Sequence, residues 1–324
     1  MMDVKQSRLD TFFYYLPGRI CSEIGSLSEE MLEKLQEIRL RLNRPVDLTA
    51  GGEPVELHGS AVTKAEIDSV INKACEFSVY SYEKELAEGF ITVKGGHRIG
   101  FCGTAVIKNG EICGVKNISA LNIRIAREIK GCARRLAGIL FSENAESVLL
   151  VGPPNCGKTT LLRDLTRIIG ENSRVSVVDE RNEISASYHG EAQNDVGRFT
   201  DVFCEYPKSD GIMRAVRTMS PEFVVCDEIG GKNEADRLCE CLNCGVKIIC
   251  TAHSGSVEEL KRREHIDRLI SVGAFGKIVL LDTAPNIGKV KRIISAEEYN
   301  AENFGTDNTC GFGYICGTCD VGKA

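Results

Sequence analysis

The stretch VLLVGPPNCGKTTLLRDL, residues 148–165, restricts the possible folds of this chain more than any other segment. Its first four residues are apolar and predict a short strand that is buried on both faces. The segment from Lys158 onward has apolar residues at helical spacing and predicts a helix. Residues 152–157, between the two, are poor in helix formers and predict a loop. A strand, a loop and a helix in this order predict one unit of an α/β fold.

The loop has the spacing Gly-x-x-x-x-Gly-Lys-Thr, which is typical of loops that bind phosphate groups. Gly152 and Gly157 allow the backbone to wrap so that its N–H groups point at phosphate oxygens, and the helix start adds partial positive charge. Lys158 would reach the β- and γ-phosphates, and the Thr159 hydroxyl would bind Mg²⁺. We therefore expect a nucleotide and Mg²⁺ as ligands. The predicted nucleotide-binding residues are Gly152, Pro153, Pro154, Asn155, Cys156, Gly157, Lys158, Thr159 and Thr160.

Apolar strands alternate with helical segments from residue 144 to residue 298. The strand-like runs are SVLLV, RVSVVD, EFVVCDE, VKIICTAH and KIVLLD. This alternation predicts an α/β domain with a mostly parallel sheet that is covered by helices on both faces. Ligands bind such sheets at the carboxyl ends of the strands. Residues 299–324 are rich in Gly, Asn and Thr with little periodicity, and we expect a flexible tail that contains cysteines.

Residues 1–143 predict an N-terminal mixed α/β domain, with a linker helix around residues 132–140. The segment SEEMLEKLQEIRLRLNRP has apolar residues near helical spacing and predicts a helix that ends before Pro45. Thr63 and Glu66 form a capping-box pattern, which predicts the start of a further helix. The segment PVDLTAGGEPVEL predicts a hairpin that turns at Gly51 and Gly52. Alternating apolar and polar residues after residue 89 predict an antiparallel sheet.

The composition is that of an ordinary soluble protein, with 43% apolar and 27% charged residues. The net charge of -6 at pH 7 argues against nucleic-acid binding through a broad basic surface. The first residues contain no continuous apolar core, which argues against a secretory signal. No run approaches the roughly 20 apolar residues that span a bilayer. We therefore expect a cytoplasmic protein that reaches a membrane only peripherally, through partners.

Two further strand-like runs end in polar residues that suit phosphoryl-transfer chemistry. FVVCDE ends in Asp227, which we expect to support the Mg²⁺ shell through water, and in Glu228, which we expect to polarise the attacking water. IICTAH ends in His253, which could sense a γ-phosphate by hydrogen bonding. A single histidine is more often structural than functional, so a structural role for His253 stays open as the alternative.

An acidic run follows another predicted strand. VVDERNEI places Asp179, Glu180 and Glu183 after that strand, where the three carboxylates could position water or Mg²⁺. An ordinary turn with solvated acidic side chains is the alternative.

The order of these motifs resembles that in the secretion and pilus-retraction ATPases, which have a Walker A loop, an acidic box, a Walker B strand and a histidine box in this order. The likeness is most specific in GPPNCGKTTLLRD, VVDERNEI and MRAVRTMSPEFVVCDEIGG. Up to about residue 298 the chain also resembles the stage III sporulation ATPases of endospore-forming bacteria. The resemblance implies a RecA-like P-loop NTPase core, Mg²⁺-dependent ATP hydrolysis and a hexameric ring. It also implies a motor on the mother-cell side that energises a trans-envelope channel through a membrane protein partner.

The resemblance assigns roles to individual residues. Glu180 and Glu183 match the acidic box, Glu228 matches the Walker B glutamate, and His253 matches the histidine box. The sequence departs from the family where DEIGG, residues 227–231, replaces the usual Gly-Glu followed by an Arg-Asp pair. The missing arginine leaves the signalling between subunits open.

An arginine that neutralises charge on the γ-phosphate is expected in phosphoryl transfer, and a neighbouring subunit often supplies it. Arg214 and Arg217 lie one turn apart on the helix predicted before the Walker B strand. Arg98 and Arg124 belong to the predicted N-terminal domain, and the resemblance favours these two because secretion ATPases use N-domain arginines in this way. For each arginine, an ordinary surface salt bridge is the alternative.

Two other functions are alternatives to a motor ATPase. A nucleic-acid-binding ATPase should have a basic or aromatic binding surface, but KRREHIDR, residues 261–268, is the only basic cluster and is typical of a solvated helix face. We therefore expect no stable nucleic-acid binding. A small-molecule kinase would need a second substrate pocket or a lid, and no motif predicts either.

The sequence contains 15 cysteines, and without an export signal the expected compartment is reducing, so most should be buried thiols. A Cys-x-x-Cys pair can be half of a zinc site, but neither of the two clusters supplies four ligands by itself. Metal binding and free thiols therefore both stay open for these clusters. Their members are Cys239, Cys241 and Cys244, and Cys310, Cys316 and Cys319.

Overall fold

Two separate β-sheets organise the chain, and the computed structural model describes residues 11–57, 59–78, 82–142, 145–283 and 285–301. Residue contacts divide the described chain into two units. The first unit contains the residues up to Arg127 together with Ala186–Gln193. The second contains Glu128–Ser185 and the residues from Asn194 onward. The division after Arg127 precedes the linker helix, which the sequence analysis assigns to the N-terminal domain.

An antiparallel sheet forms the centre of the first unit. Its strands are β1 Leu35–Arg41, β2 Asp47–Ala50, β3 Glu53–Glu56, β4 Phe90–Val93, β5 His97–Lys108 and β6 Glu111–Arg124. The strand order is β3-β2-β1-β6-β5-β4, and neighbouring strands are antiparallel. The helices of this unit, among its described residues, are α1 Gly18–Gly25, α2 Glu29–Lys34, α3 Lys64–Ala74 and α4 Glu83–Glu88. The antiparallel sheet that the sequence predicts is confirmed.

The helix predicted from SEEMLEKLQEIRLRLNRP is wrong in its second half. Helix α2 ends at Lys34, and β1 follows directly. Ile38 and Leu40 are fully buried on one face of β1, which pairs with β2 on one side and with β6 on the other. Leu35 and Ile38 have helical spacing, whereas Ile38 and Leu40 alternate as in a strand. Pairing on both edges decides in favour of the strand because it satisfies the backbone hydrogen bonds of β1.

Two local predictions for the first unit are confirmed. Thr63 caps α3 and forms the expected capping box with Glu66, whose carboxylate accepts from the Thr63 backbone N–H at 2.9 Å. The hairpin between β2 and β3 turns at Gly51 and Gly52, which have φ angles of 62° and 90°. Glycine adopts such left-handed angles without steric cost, so the turn forms where the sequence predicts it.

The segment Ala186–Gln193 belongs to the first unit although the residues on either side of it belong to the second. The backbone N–H of Gly95 donates to the side chain of Gln193 at 2.8 Å. The Tyr188 hydroxyl donates a short hydrogen bond to the carboxylate of Glu76. Side-chain hydrogen bonds therefore join this segment to the first unit.

A seven-stranded sheet forms the centre of the second unit, in the order β13-β12-β7-β11-β10-β8-β9. Its strands are β7 Val148–Gly152, β8 Val175–Asp179, β9 Thr200–Cys204, β10 Phe223–Cys226, β11 Lys247–His253, β12 Lys277–Leu281 and β13 Val290–Ser295. The helices are α5 Arg134–Leu140, α6 Lys158–Gly170, α7 Lys208–Met219, α8 Lys232–Asn243, α9 Val257–Lys261, α10 Glu264–Ser271 and α11 Ala296–Ala301. Neighbouring strands are parallel from β12 to β9, whereas β13 runs antiparallel to β12.

The sheet of the second unit has an apolar layer on each face. Successive residues of β7 belong to different layers, with Leu149 and Val151 in one and Val148 and Leu150 in the other. All of these side chains are fully buried, as expected for a parallel sheet covered on both faces. Because β7, β8, β10 and β11 are parallel, their carboxyl ends meet at one edge of the sheet, where polar side chains lie close together.

Candidate active site

The loop between β7 and α6 packs closely against Gly288, which lies between β12 and β13. Gly157 immediately precedes α6 with a φ angle of 93°, and a Cβ atom added there would lie 3.1 Å from backbone atoms of Gly288. The carbonyl oxygen of Cys156 accepts a hydrogen bond from the Gly288 N–H at 2.8 Å. A side chain at position 157 is therefore disfavoured both by the left-handed backbone and by the lack of space. Thr159 and Thr160 follow in the first turn of α6 and are partly exposed.

Lys158 lies inside this loop and is only 6% exposed. Its ammonium group donates to the carbonyl oxygens of Gly152 at 2.8 Å and Pro153 at 2.7 Å. Burial lowers the pKa of Lys158, although Cys156 and Glu228 act in the opposite direction. Lys158 is thus held in the loop by backbone groups that a phosphate could replace.

His253 connects Lys158 to Glu228. Its Nδ1 atom lies 3.0 Å from the Lys158 ammonium nitrogen, and its Nε2 atom lies 3.1 Å from Glu228 Oε2. Because an ammonium group can only donate, Nδ1 accepts, so the neutral imidazole has its proton on Nε2 and donates to Glu228. Strand β11 lies between β7 and β10, and His253 pairs with Gly152 in the register of the sheet. The structure therefore brings these three predicted residues together in one chain of contacts.

Asp227 is 5% exposed and forms an ion pair with Lys208, which the sequence analysis does not identify. Asp227 Oδ1 lies 2.9 Å from the Lys208 ammonium nitrogen, which also donates to the backbone carbonyl of Glu228. The same ammonium nitrogen lies 3.9 Å from the Glu180 carboxylate. Burial opposes the charge on Lys208, but the Asp227 carboxylate overcomes this and raises the pKa of Lys208.

A signal for Lys208 is present in the sequence. The residue follows Pro207 at the first position of α7. A cation at a helix N-terminus is opposed by the helix dipole, whereas acidic residues are favoured there. A lysine at that position is therefore unusual and indicates a specific carboxylate partner, although the sequence cannot say which one.

Asp179 anchors the acidic loop and is completely buried. One of its carboxylate oxygens accepts from the backbone N–H of Glu183 at 2.8 Å. The other accepts from the N–H of Ile184 at 3.0 Å and from both the N–H and the hydroxyl of Ser185 at 2.8 Å. Arg163 adds a hydrogen bond of 2.6 Å to the Glu183 carbonyl. These contacts fix the backbone of the loop, so Asp179 has a structural role in it.

Glu180 and Glu183, the two acidic-box residues, differ in their surroundings. The Glu180 side chain is 40% exposed and faces Lys208, whereas Glu183 is partly buried and its backbone is fixed at both its N–H and its carbonyl. Of the two, Glu180 has the side chain that reaches the buried Lys208–Asp227 ion pair.

Arg98 and Arg124 lie directly opposite each other on β5 and β6. Both belong to the first unit, whereas the residues around the loop belong to the second. The Arg98 guanidinium lies 5.0 Å from the ring centre of Phe90, and Arg124 also pairs in register with Glu37 on β1. Like charges on directly opposite residues are unfavourable in a sheet, and Glu37, on the other side of Arg124, offsets this effect. The other two candidates, Arg214 and Arg217, lie on α7, as predicted.

The three cysteines of the first cluster lie on or next to α8, and the members of the second cluster lie outside the described residues. Cys239, Cys241 and Cys244 are free thiols, and burial raises the pKa of Cys241 to about 12. Within the described ranges, no three His, Cys, Asp or Glu side chains are arranged to hold a metal ion. In the same part of the chain, no helix has both the length and the apolar character needed to cross a bilayer.

Comparison with solved structures identifies the fold. The ATPase DotB of Legionella pneumophila superimposes with a TM-score of 0.52 and 16% identity, over 76% of this chain and 72% of that chain. The pilus retraction motor PilT with bound ADP gives a TM-score of 0.56 and 15% identity, over 82% of this chain and 79% of that chain. The α/β fold with a P-loop core that the sequence predicts is confirmed by these similarities.

Comparison of sequences identifies the family. Stage III sporulation protein AA of Bacillus subtilis (strain 168) is 36% identical over 284 residues, which cover 86% of this chain and 92% of that protein. The profile of the family described as "Sporulation stage III, protein AA" matches residues 12–300. The chain therefore belongs to the stage III sporulation protein AA family.

Proposed function

We propose that the chain is a Mg²⁺-dependent ATPase. The observation that best supports this function is the chain of contacts from Lys158 through His253 to Glu228, next to a loop with the geometry of a phosphate-binding loop. A lysine that can reach phosphate oxygens and a carboxylate that can polarise water are groups that ATP hydrolysis uses, and His253 contacts both at the carboxyl ends of three adjacent strands.

The resting contacts indicate what each residue would do in the reaction. Lys158 would exchange the carbonyl oxygens of Gly152 and Pro153 for β- and γ-phosphate oxygens. His253 would then lose its contact with Lys158, which allows it to respond to the γ-phosphate. Glu228 would orient and polarise the attacking water, with His253 setting the position of its carboxylate.

The residues near the loop also fit a divalent cation. Asp227 is a buried carboxylate directly after β10, and the partly exposed Thr159 offers a hydroxyl in the first turn of α6. When bound there, Mg²⁺ would neutralise phosphate charge during the reaction. Asp227 would hold the water shell of the ion, and Thr159 would bind the ion directly.

We infer further that the ATPase acts as a ring, with a hexamer as the expected form. Arg98 and Arg124 would be supplied to the site of a neighbouring subunit, and their position opposite each other on β5 and β6 supports a joint role. Membership of a sporulation family and the shared fold with a pilus retraction motor support a motor that energises a trans-envelope channel during endospore formation. A membrane protein partner would connect this motor, on the mother-cell side, to the channel.

The substitution Glu228→Gln tests the proposed activity. We expect it to leave ATP binding intact, as measured by calorimetry, and to lower the rate of hydrolysis at least 100-fold, because a general base contributes about 10²–10⁴-fold. Glu240→Gln is the matched control, since Glu240 is exposed on α8 and pairs only with Arg237 among the described residues. We also expect the rate per subunit to rise with protein concentration as the ring assembles. Absence of ATP binding by the unaltered chain, or full activity of the Glu228 variant, would contradict the proposal.

A further inference from the structure

Lys158 and Lys208 are the two lysines that are buried among the described residues, and they lie at the same edge of the sheet. Lys158 has a role in the phosphate-binding loop. Lys208 is 7% exposed, and the ATPase mechanism above gives it no role. A buried ion pair contributes little net stability because desolvation offsets the attraction between the charges. Stability alone therefore does not explain why a lysine occupies this position.

The contacts of Lys208 place it between the two acidic elements of the site. Its ammonium nitrogen lies 2.9 Å from Asp227 Oδ1 at the end of β10, and 3.9 Å from Glu180 Oε2 in the acidic loop. It also donates to the backbone carbonyl of Glu228. A movement of about one ångström, which the flexible lysine stem allows, would bring it into direct contact with Glu180.

The Asp227 carboxylate is also the group that would hold the water shell of Mg²⁺. A carboxylate that is neutralised by a buried ammonium group attracts a second cation less strongly, so Lys208 and Mg²⁺ compete for the same charge. Entry of the metal ion would repel the ammonium group from Asp227. Glu180 is the second carboxylate that lies close to Lys208.

We propose that Lys208 is a positioning residue that neutralises Asp227 while the metal site is empty and pairs with Glu180 when Mg²⁺ enters with the nucleotide. Binding of Mg²⁺ thereby gives the acidic loop a new contact, between Glu180 and Lys208. This inference rests on the proposed function, because it assigns Asp227 to the Mg²⁺ site of the ATPase.

The first test measures Mg²⁺ binding to the full, nucleotide-free chain by calorimetry. Lys208→Met removes the charge, and we expect the Kd for Mg²⁺ to fall at least tenfold because Asp227 is no longer neutralised. Lys208→Arg keeps the charge and should stay within threefold of the unaltered chain. Lys291→Met removes an exposed lysine from β13 of the same sheet and should leave the Kd for Mg²⁺ unchanged. A Mg²⁺ affinity of Lys208→Met within threefold of the unaltered chain would refute the proposal and leave the ion pair a purely structural role.

The second test does not depend on the folding of a core variant. Glu180 is exposed, and we expect Glu180→Gln to weaken the binding of ADP with Mg²⁺ at least threefold more than it weakens the binding of ADP without Mg²⁺. Equal weakening in both conditions, or none in either, would exclude transfer of Lys208 to Glu180. Failure of the unaltered chain to bind ADP would instead overturn the proposed ATPase, whereas the calorimetry of the nucleotide-free chain would still decide whether Lys208 competes with Mg²⁺.

Discussion

At the level of single residues, four carboxylates near the phosphate-binding loop differ in their burial and in their partners. Asp179 is completely buried and accepts four hydrogen bonds from its own loop. Asp227 is buried against the ammonium group of Lys208, Glu228 contacts His253, and Glu180 is partly exposed and faces Lys208. Residues of one chemical type therefore serve as a backbone anchor, a partner for cations and a candidate base, according to the donors around them.

The substitution Asp179→Ala should destabilise the second unit. It leaves the N–H groups of Glu183, Ile184 and Ser185 without their acceptor, and the last two are buried. We therefore expect a loss of about 2–4 kcal/mol in the free energy of unfolding. Urea denaturation measures this loss. Asp201→Ala on β9, where the side chain is exposed, should change the free energy by less than about 0.5 kcal/mol. Equal stability of the two variants would show that Asp179 does not anchor the loop.

Individual roles in the site could be predicted only in part. Lys158, Glu228 and His253 each follow a strand-like run, so their approach to the sheet edge follows from the α/β pattern. The sequence could not distinguish Asp179 from Glu180, because the difference depends on which side chain points into the loop. Lys208 was missed because its partner Asp227 lies on another element and no local pattern relates the two.

At the level of helices and strands, the start of α3 shows how one side chain can cap a helix and attach it to a neighbour. The Glu66 carboxylate accepts from the Thr63 N–H within the capping box. It also accepts two hydrogen bonds from the Arg19 guanidinium of α1, at 2.8 and 3.0 Å. The Arg19 contacts, followed by those of Thr63, lower the pKa of Glu66 to about 2 against the opposing effect of burial. The charged form of Glu66 therefore stabilises both helices.

Glu66→Gln should make the stability of the first unit less dependent on pH. A carboxyl whose pKa is lowered from 4.5 to about 2 on folding stabilises the protein fully above pH 4.5, and this contribution is lost as the pH falls towards 2. We expect the variant to be about 2 kcal/mol less stable at pH 7 and the difference to shrink below pH 4.5. Urea unfolding at several pH values measures both effects. Asp68→Asn, which removes an exposed pair with Lys64, should cost less than about 1 kcal/mol and serves as the control.

The elements of the second unit were more predictable than those of the first. Parallel strands buried on both faces produce continuous apolar runs, and β7, β8, β10, β11 and β12 all coincide with such runs. Strand β1 contains one pair of apolar residues at helical spacing, Leu35 and Ile38, and one pair that alternates as in a strand, Ile38 and Leu40. The choice between the two depends on pairing with β6, whose residues lie far along the chain.

At the level of the whole chain, the candidate catalytic groups are divided between two units. Lys158, Glu228 and His253 belong to the second unit, whereas Arg98 and Arg124 belong to the first. The proposed ring would complete each site with arginines from the adjacent subunit. A subunit with a defective site could then still serve as an arginine donor.

Mixing two inactive variants tests this division. We expect Glu228→Gln to abolish hydrolysis at its own site. We expect the double variant Arg98→Ala with Arg124→Ala to lower hydrolysis at least tenfold, because it removes the arginines that each subunit supplies to its neighbour. Mixed rings should recover activity, because some junctions combine an intact Glu228 with arginines from the other variant. Arg237→Ala, an exposed control on α8, should behave as the unaltered chain. A mixture no more active than its components would exclude arginine supply between subunits.

Because Ala186–Gln193 belongs to the first unit, the two units cannot be separated by cutting the chain at one position. The polypeptide passes between its units after Arg127, after Ser185 and after Gln193, so no single cleavage releases either unit intact. A fragment beginning at Glu128 would lack Glu76 and Gly95, the hydrogen-bonding partners of Tyr188 and Gln193. Recombination that replaced only the residues up to Arg127 would replace the partners of Tyr188 and Gln193 in these two hydrogen bonds. We therefore expect the two units to be inherited together.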